Sequence, residues 1–187
     1  MRLFVALEIP STVRENLAAL IKSLRAVSPQ TRWVCSENLH VTLKFIGEVP
    51  EAKLVGIREG LTRVRSEQPV ALDFRGLGFF PNEKHPRVLW AGIEASPNLK
   101  TLATDVDGAT EKLGIPRERR PFSPHLTLAR FEPPRLPEAL RAAIQENAGR
   151  DFGSLRTSQL RLIESKLKPS GAEYTTVESF SFAAAEA

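Results

Sequence analysis

The chain has 187 residues, with 26 Lys plus Arg, 22 Asp plus Glu, three His, one Cys and one Met, and a formal net charge of +4. One cysteine cannot form an internal disulfide and excludes Cys-rich zinc modules, and three histidines leave few residues for a metal site. The 42% hydrophobic content supports a core and argues against wholesale disorder, while the mild positive charge permits a polyanionic partner without demanding one.

No run of about 18 apolar residues appears, so no transmembrane helix is predicted. Met1 to Glu8 is too short and too soon charged for a signal peptide and reads as a strand stopped by Pro10. A cytoplasmic protein is the default expectation. Val13, Leu17, Leu20, Ile21 and Leu24 then recur at helical spacing, with Thr12 and Glu15 as a capping-box signal and Ser28-Pro29 as the stop. Arg32 to Val34 is a short predicted strand. His40 to Ile46 is a longer one closed by Gly47.

Pro50 opens a second helix carrying Leu54, Ile57, Leu61 and Val64. Val70 to Phe74 and Val88 to Ile93 read as strands, with a turn-rich segment from Gly76 to Pro86 between them. Ser96-Pro97 reads as a Ser cap and a first-turn Pro for a third helix, whose stripe is Leu99, Leu102, Val106 and Leu113, stopped by Gly114. His125 to Phe131 is another strand. Leu136, Leu140 and Ile144 mark a fourth helix, and Gln159 to Leu167 and Tyr174 to Phe182 are closing strands before a small-residue tail at Ala183 to Ala187 that is expected to fray. Several strand pairs are joined by turns too short for parallel crossovers, which predicts an α+β fold with antiparallel sheets. No Pro/Gly/Ser-rich linker divides the chain, so residues 1–187 are expected to form one domain.

An internal repeat carries the chemistry. The run from Glu37 to Phe45 matches the run from Phe122 to Arg130, and both hold His-apolar-Thr-Leu in a strand-like context: His40-Val41-Thr42-Leu43 and His125-Leu126-Thr127-Leu128. Side chains alternate faces along a strand, so His and Thr two apart share one face while the apolar residues take the other. Singly, a strand histidine is most often structural. Two of three histidines in the same four-residue pattern are not explained that way. A neutral imidazole takes a proton near pH 7 and an imidazolium gives one. The threonine hydroxyls suit anionic oxygens. The set fits displacement at phosphorus without a metal, with one histidine activating the attacking oxygen and the other protonating the leaving oxygen.

With these motifs the chain resembles the 2H phosphoesterase superfamily, defined by two His-x-Thr-x motifs. Within it the chain is most similar to the RNA 2′,3′-cyclic phosphodiesterases, long known as 2′-5′ RNA ligases. The resemblance rests on Arg2 to Leu7, Arg32-Trp33-Val34, Asn38 to Val49, Pro86 to Ile93 and Pro124 to Arg130. It implies two pseudo-symmetric, interleaved lobes, each an antiparallel sheet with outer helices, facing each other across a central cleft. It implies hydrolysis of RNA 2′,3′-cyclic phosphate ends, or of nucleoside cyclic phosphates, to the 2′-phosphate. His40 is then the general acid, His125 the general base, and Thr42 and Thr127 hold the phosphate. No cofactor or metal is implied, and a monomer is expected. Weak reverse 2′-5′ ligation is open to the same two histidines. So are two other readings: a nucleotide- or RNA-binding module without turnover, and a phosphodiesterase for another cyclic phosphate or for 2′-5′ oligonucleotides.

Lys44, Phe45 and Arg130 are assigned to substrate binding. Strict alternation opposes this for two of them: Phe45 and Arg130, each five residues beyond a motif histidine, fall on the opposite face. Parity thus predicts the core for Phe45, against the stacking of a base on it, and only a bend or a strand end would bring Arg130 to a phosphate. Trp33 and Trp90 read as packing residues, His85 as a surface histidine and Cys35 as a small, at least half-buried residue. Lys112, Arg117, Arg119, Arg120, Arg130 and Arg135 bracket the second motif against only Glu118 and Glu132. Such a cluster fits a salt-sensitive landing strip for RNA and equally a solvated loop. Glu173, Glu178 and Glu186 make the C-terminus an unsuitable path for RNA.

Overall fold

The computed structural model describes residues 1–184; the end of the small-residue tail and Glu186 lie outside the described residues. The chain order is β1 (Arg2–Glu8), α1 (Ser11–Val27), β2 (Arg32–Trp33), β3 (His40–Glu48), α2 (Leu54–Thr62), β4 (Val70–Phe80), β5 (Val88–Ala95), α3 (Asn98–Glu111), β6 (His125–Arg130), α4 (Glu138–Glu146), β7 (Asp151–Thr157), β8 (Gln159–Lys168) and β9 (Gly171–Ser181). Every strand pairing is antiparallel. The strands form two sheets, β3-β1-β8-β9 and β2-β6-β5-β4-β7. The α+β class and the two antiparallel sheets expected from the sequence are present. The first and last strands lie in the first sheet, and all five strands of the second fall between them in the chain.

One apolar core runs through both sheets and the helices. It takes Val13, Leu17, Leu20, Ile21 and Leu24 from α1, Val41 and Leu43 from β3, Leu126 and Leu128 from β6, and Leu99, Leu102 and Val106 from α3. The 3–4 residue spacing in the helices and the period of two in the strands supply these faces. β1 is buried on both faces, because it is a central strand. Its Leu3, Val5 and Leu7 join the main core, whereas Phe4 and Ala6 form a second small cluster with Ile163 and half-buried Tyr174 on the other face.

Several local expectations change. α1 starts at Ser11, after Pro10, so Thr12 already lies inside the first turn and no side chain caps the helix. Ser96 does not cap α3 either: its hydroxyl accepts the Ala71 N–H at 2.9 Å and donates to Asn98 Oδ1 at 2.6 Å. A short 3-10 turn at Glu51–Lys53 separates Pro50 from α2. β4 runs on through the turn-rich segment to Phe80, because Gly76 at φ +74° absorbs an irregularity in its pairing with β5. Gly47 lies inside β3 rather than closing it, at φ +82°. β7, which pairs with β4 at the edge of the second sheet, is a strand that the sequence did not lead one to expect. Its Phe152 alone is fully buried, so its apolar signal is short. Cys35 is exposed, with its thiol donating to Glu37 Oε2. Gly114, at φ +78°, stops α3 as expected. No described helix is long and apolar enough to cross a membrane.

Candidate active site

β3 and β6, the two strands that carry the repeat, come side by side where the sheets meet, with Cα atoms within 8 Å. Val41, Leu43, Leu126 and Leu128 are buried in the shared core, and His40 with Thr42, and His125 with Thr127, are half-buried, each pair on the opposite face of its own strand. The face assignment made from alternation therefore holds for all four motif residues.

Beyond the threonines, alternation fails in the same way twice. Along β1·β3 the register runs Ala6 with Thr42 and then Val5 with Lys44, so Leu43 is an extra residue on β3. Along β5·β6 it runs Trp90 with Thr127 and then Leu89 with Ala129, so Leu128 is an extra residue on β6. A bulge of this kind puts two consecutive residues on one side and re-aims everything after it. The two burial patterns read identically over six residues: half-buried, buried, half-buried, buried, buried, exposed. Phe45 and Arg130 thus return to the histidine face, against the parity expectation for both. Phe45 is 65% exposed although it is a large aromatic.

The same bulge overturns the assignment of Lys44. Strict alternation from His40 would put Lys44 on the motif face; the extra residue turns it into the interior, where it is 4% exposed. Its ammonium donates to Asp107 Oδ1 at 2.5 Å and to the Pro116 carbonyl at 2.6 Å. Lys44 is therefore a buried ion-pair partner and has no path to a substrate. Its counterpart in the second repeat is Ala129.

The histidines are held alike. His40 Nδ1 lies 3.0 Å from the Asn38 carbonyl and His125 Nδ1 lies 2.8 Å from the Ser123 carbonyl. A carbonyl only accepts, so each Nδ1 carries the proton of the neutral ring and each Nε2 keeps its lone pair. The residue two before each histidine fixes its tautomer, and the strand entry supplies that residue in both repeats. Asn38 is itself tied down by a 2.7 Å bond from its amide to the Ala172 carbonyl at the start of β9.

The surroundings differ. His40 lies against Phe4 (centroids 6.1 Å apart) and Tyr174 (5.7 Å), and Phe4 also contacts Phe45 at 6.1 Å. The His40 pKa is lowered, chiefly because burial penalises the imidazolium; the Asn38 carbonyl works in the opposite direction, and the Arg14 charge adds to the lowering. His125 stands edge-on to Phe80 at 4.9 Å. Trp90, directly opposite Thr127, lies over Gly78 and 5.4 Å from Phe80. It packs as expected, but its indole N–H is buried without a partner among the described residues. Trp33 is half-buried and donates to the Ser28 carbonyl, and His85 is exposed in its loop. Phe4, Tyr174 and Phe80 were not singled out from the sequence. The alternation within β1 was the available signal for Phe4; Tyr174 and Phe80 come from strands far along the chain.

Within the described residues no hydrogen bond occupies the Thr42 or Thr127 hydroxyl, and no carboxylate pairs with Arg119, Arg120 or Arg130. Arg117 is paired with Glu111. Glu173 and Glu178 are paired with Lys168 and Arg58, so the acidity expected of the C-terminal strand is largely compensated locally. No three His, Cys, Asp or Glu side chains gather as a metal site among the described residues.

Known proteins match this arrangement. The model of the LigT-like phosphoesterase family matches residues 7–90 and 93–174, and each stretch contains one His-x-Thr motif. A Thermus thermophilus protein named RNA 2′,3′-cyclic phosphodiesterase is 38% identical over 192 residues, covering 97% of this chain and 90% of its own length. One of the same name from Methanothermobacter thermautotrophicus is 36% identical over 182 residues, covering 96% and 98%. A crystal structure of a Thermus thermophilus protein superposes with a TM-score of 0.78 at 35% identity, covering 97% of this chain and 98% of that one. Escherichia coli LigT complexed with 3′-AMP gives 0.76 at 27%, covering 97% of each chain. With two matched stretches that together span most of its length, this chain belongs to the LigT-like phosphoesterase family.

Proposed function

We propose that this chain is an RNA 2′,3′-cyclic phosphodiesterase, the activity named for its relatives, and that it opens the cyclic phosphate to a 2′-phosphate. The observation that carries it is the matched pair of histidines, each beside a threonine on the face of its own strand turned away from the core, with Nδ1 spent on a carbonyl and Nε2 left as a proton acceptor. The Thr42 and Thr127 hydroxyls donate to the non-bridging phosphate oxygens. His125 Nε2 removes a proton from water as its oxygen attacks phosphorus. The P–O3′ bond breaks, and protonated His40 gives its Nε2 proton to the leaving 3′ oxygen. The product is a 2′-phosphate with a free 3′-hydroxyl, and the two histidines have exchanged protonation states. Solvent then restores them.

The electrostatics of His40 bear on these roles. Burial favours its neutral form in the free protein. An acid must be protonated, and the anionic phosphate supplies the charge that makes His40 hold a proton in the complex. Substrate binding thus prepares the acid. Phe45 offers a base an exposed aromatic face next to Phe4, which also packs on His40, and Arg130 offers an unpaired cation three residues beyond Thr127 on the same strand. No step calls for a metal or cofactor. The uninterrupted core supports treating the chain as one domain of two interleaved lobes; a monomer is part of the proposal, and the mass of the protein in solution checks it.

The test is an oligonucleotide ending in 2′,3′-cyclic phosphate, incubated in EDTA, with identification of the product isomer. A 2′-phosphate is expected. A 3′-phosphate would overturn the leaving-group assignment. Tight binding with no product would make the chain a binding module, and turnover confined to 2′-5′ oligonucleotides or other cyclic phosphates would change the substrate.

A further inference from the structure

The bulge that brings Phe45 outward sends the Lys44 ammonium inward, where it meets the stretch of chain that leads to the second motif. Lys44 Nζ is held by Asp107 Oδ1 and by the Pro116 carbonyl, with the lysine side chain 3% and the aspartate side chain 16% exposed. The same Asp107 oxygen accepts the Glu118 N–H at 3.2 Å. A second lysine, Lys53, binds the Leu113 carbonyl at 2.8 Å. These bonds all land on the end of α3 and on the segment after it. From Pro116 to Pro124 that segment has no helix or strand of its own, and it delivers Ser123 and His125. Ser123 is the residue whose carbonyl fixes the His125 ring. The segment's other ties are the Arg117–Glu111 ion pair, the bond from the Arg120 N–H to Glu118 Oε1 and the packing of Phe122 against the core.

We infer that Lys44 is a positioning residue for His125: from the first-motif strand it anchors, through Asp107 and Pro116, the segment that sets the placement and tautomer of the second-motif histidine. The first motif strand thereby specifies both halves of the site, directly through His40 and Thr42 and indirectly through Lys44. The asymmetry of the repeat agrees with this. Ala129 stands at the equivalent place in β6, and the segment before His40 has instead the short 3-10 turn at Ser36–Asn38 and the Asn38 bond to Ala172. A lone buried lysine would be costly, whereas one met by a carboxylate and a carbonyl is tolerated, and removing either member leaves the other unsatisfied.

The inference rests on the catalytic reading of His125, and its test has an arm that does not. Histidine-ring 15N spectra of the wild-type chain, Lys44→Met and Asp107→Asn should show the His125 signals moving in both variants while those of exposed His85 stay in place. Unmoved His125 signals in folded variants would overturn the proposal whether or not the protein turns over any substrate. On a nucleoside 2′,3′-cyclic phosphate, Lys44→Met should lower kcat on the order of 10²-fold, the scale of a misplaced catalytic group, with a much smaller change in KM. In a His125→Ala background the same substitution should cost little more. An equal loss in both backgrounds would show that Lys44 does not act through His125. Should Lys44→Met fail to fold, the Lys44→Met/Asp107→Leu double variant removes both charges and is expected to fold, with the same displaced His125 signals; wild-type His125 signals there would equally overturn the inference.

Discussion

Phe45 and Arg130 occupy the same position in two copies of one strand, and each is turned onto the histidine face by a single extra residue, Leu43 or Leu128. The bulge converts a four-residue motif into a two-sided device. One copy ends in an aromatic surface and the other in a cation. In the proposed function these are the groups that would meet the base and the charged phosphate of a nucleotide.

The histidines are the first test. His40→Ala and His125→Ala are each expected to lower kcat/KM by roughly 10²–10⁴-fold, the range of general acid–base catalysis. Both variants should keep the wild-type Tm to within a few degrees, since neither ring belongs to the main core. Turnover by the wild-type chain should be indifferent to EDTA. Full activity in both alanine variants would remove the proposed mechanism.

Thr42→Val and Thr127→Val keep the β-branched shape and delete the donor. A hydrogen bond to a charged group contributes about 1.5–3 kcal/mol, so each should cost roughly 10- to 150-fold in kcat/KM. The pair should lose more than either alone. Inorganic phosphate, measured as a competitive inhibitor, should weaken in parallel with catalysis; unchanged inhibition would mean that the hydroxyls do not touch the phosphate.

Phe45→Ala should leave stability nearly unchanged, because the ring is already mostly exposed. If a base stacks on it, the loss of about 1–3 kcal/mol raises KM for RNA ends by roughly 5- to 150-fold. Arg130→Ala should weaken RNA binding and flatten its dependence on salt by about one counterion. A salt slope identical to wild type would place Arg130 outside the phosphate path.

His40 makes stability pH-dependent. Its folded pKa lies below the ordinary value of about 6.5, so the unfolded chain binds the proton more readily. The stabilisation tied to neutral His40 is complete above that value and is lost as pH falls from about 6.5 toward the lower folded pKa. Comparing Tm against pH for the wild type and His40→Gln should show a wild-type decline over this window that the variant lacks. Parallel curves would count against a buried, hard-to-protonate His40.

Gly78 is closed to any side chain. A Cβ there would sit 2.2 Å from Cζ2 of Trp90, the residue opposite Thr127. Gly78→Ala must push the indole aside, at about 1–3 kcal/mol of overpacking. The expected result is a lower Tm together with altered tryptophan fluorescence and reduced activity. A wild-type spectrum would show that the indole is not packed on this glycine.

The sequence by itself determined the helices with a clear apolar stripe, the antiparallel α+β class, and the His-x-Thr pair with its shared face. These depend on local periodicity, which is written into consecutive residues. It did not reveal β7, whose one fully buried side chain, Phe152, leaves almost no periodic signal, nor the true starts of α1, which begins at Ser11 directly after Pro10, and of α3, where Ser96 is engaged by Ala71 and Asn98 instead of capping. Only the tertiary structure decided the fate of the residues just past each motif. A bulge is a mismatch between two strands, and it depends on how many residues β1 and β5 place opposite β3 and β6. No count along β3 or β6 alone reveals it. For that reason Phe45 and Arg130 came to the site against their parity, and Lys44 left it for Asp107, a partner on a helix 63 residues away in the chain.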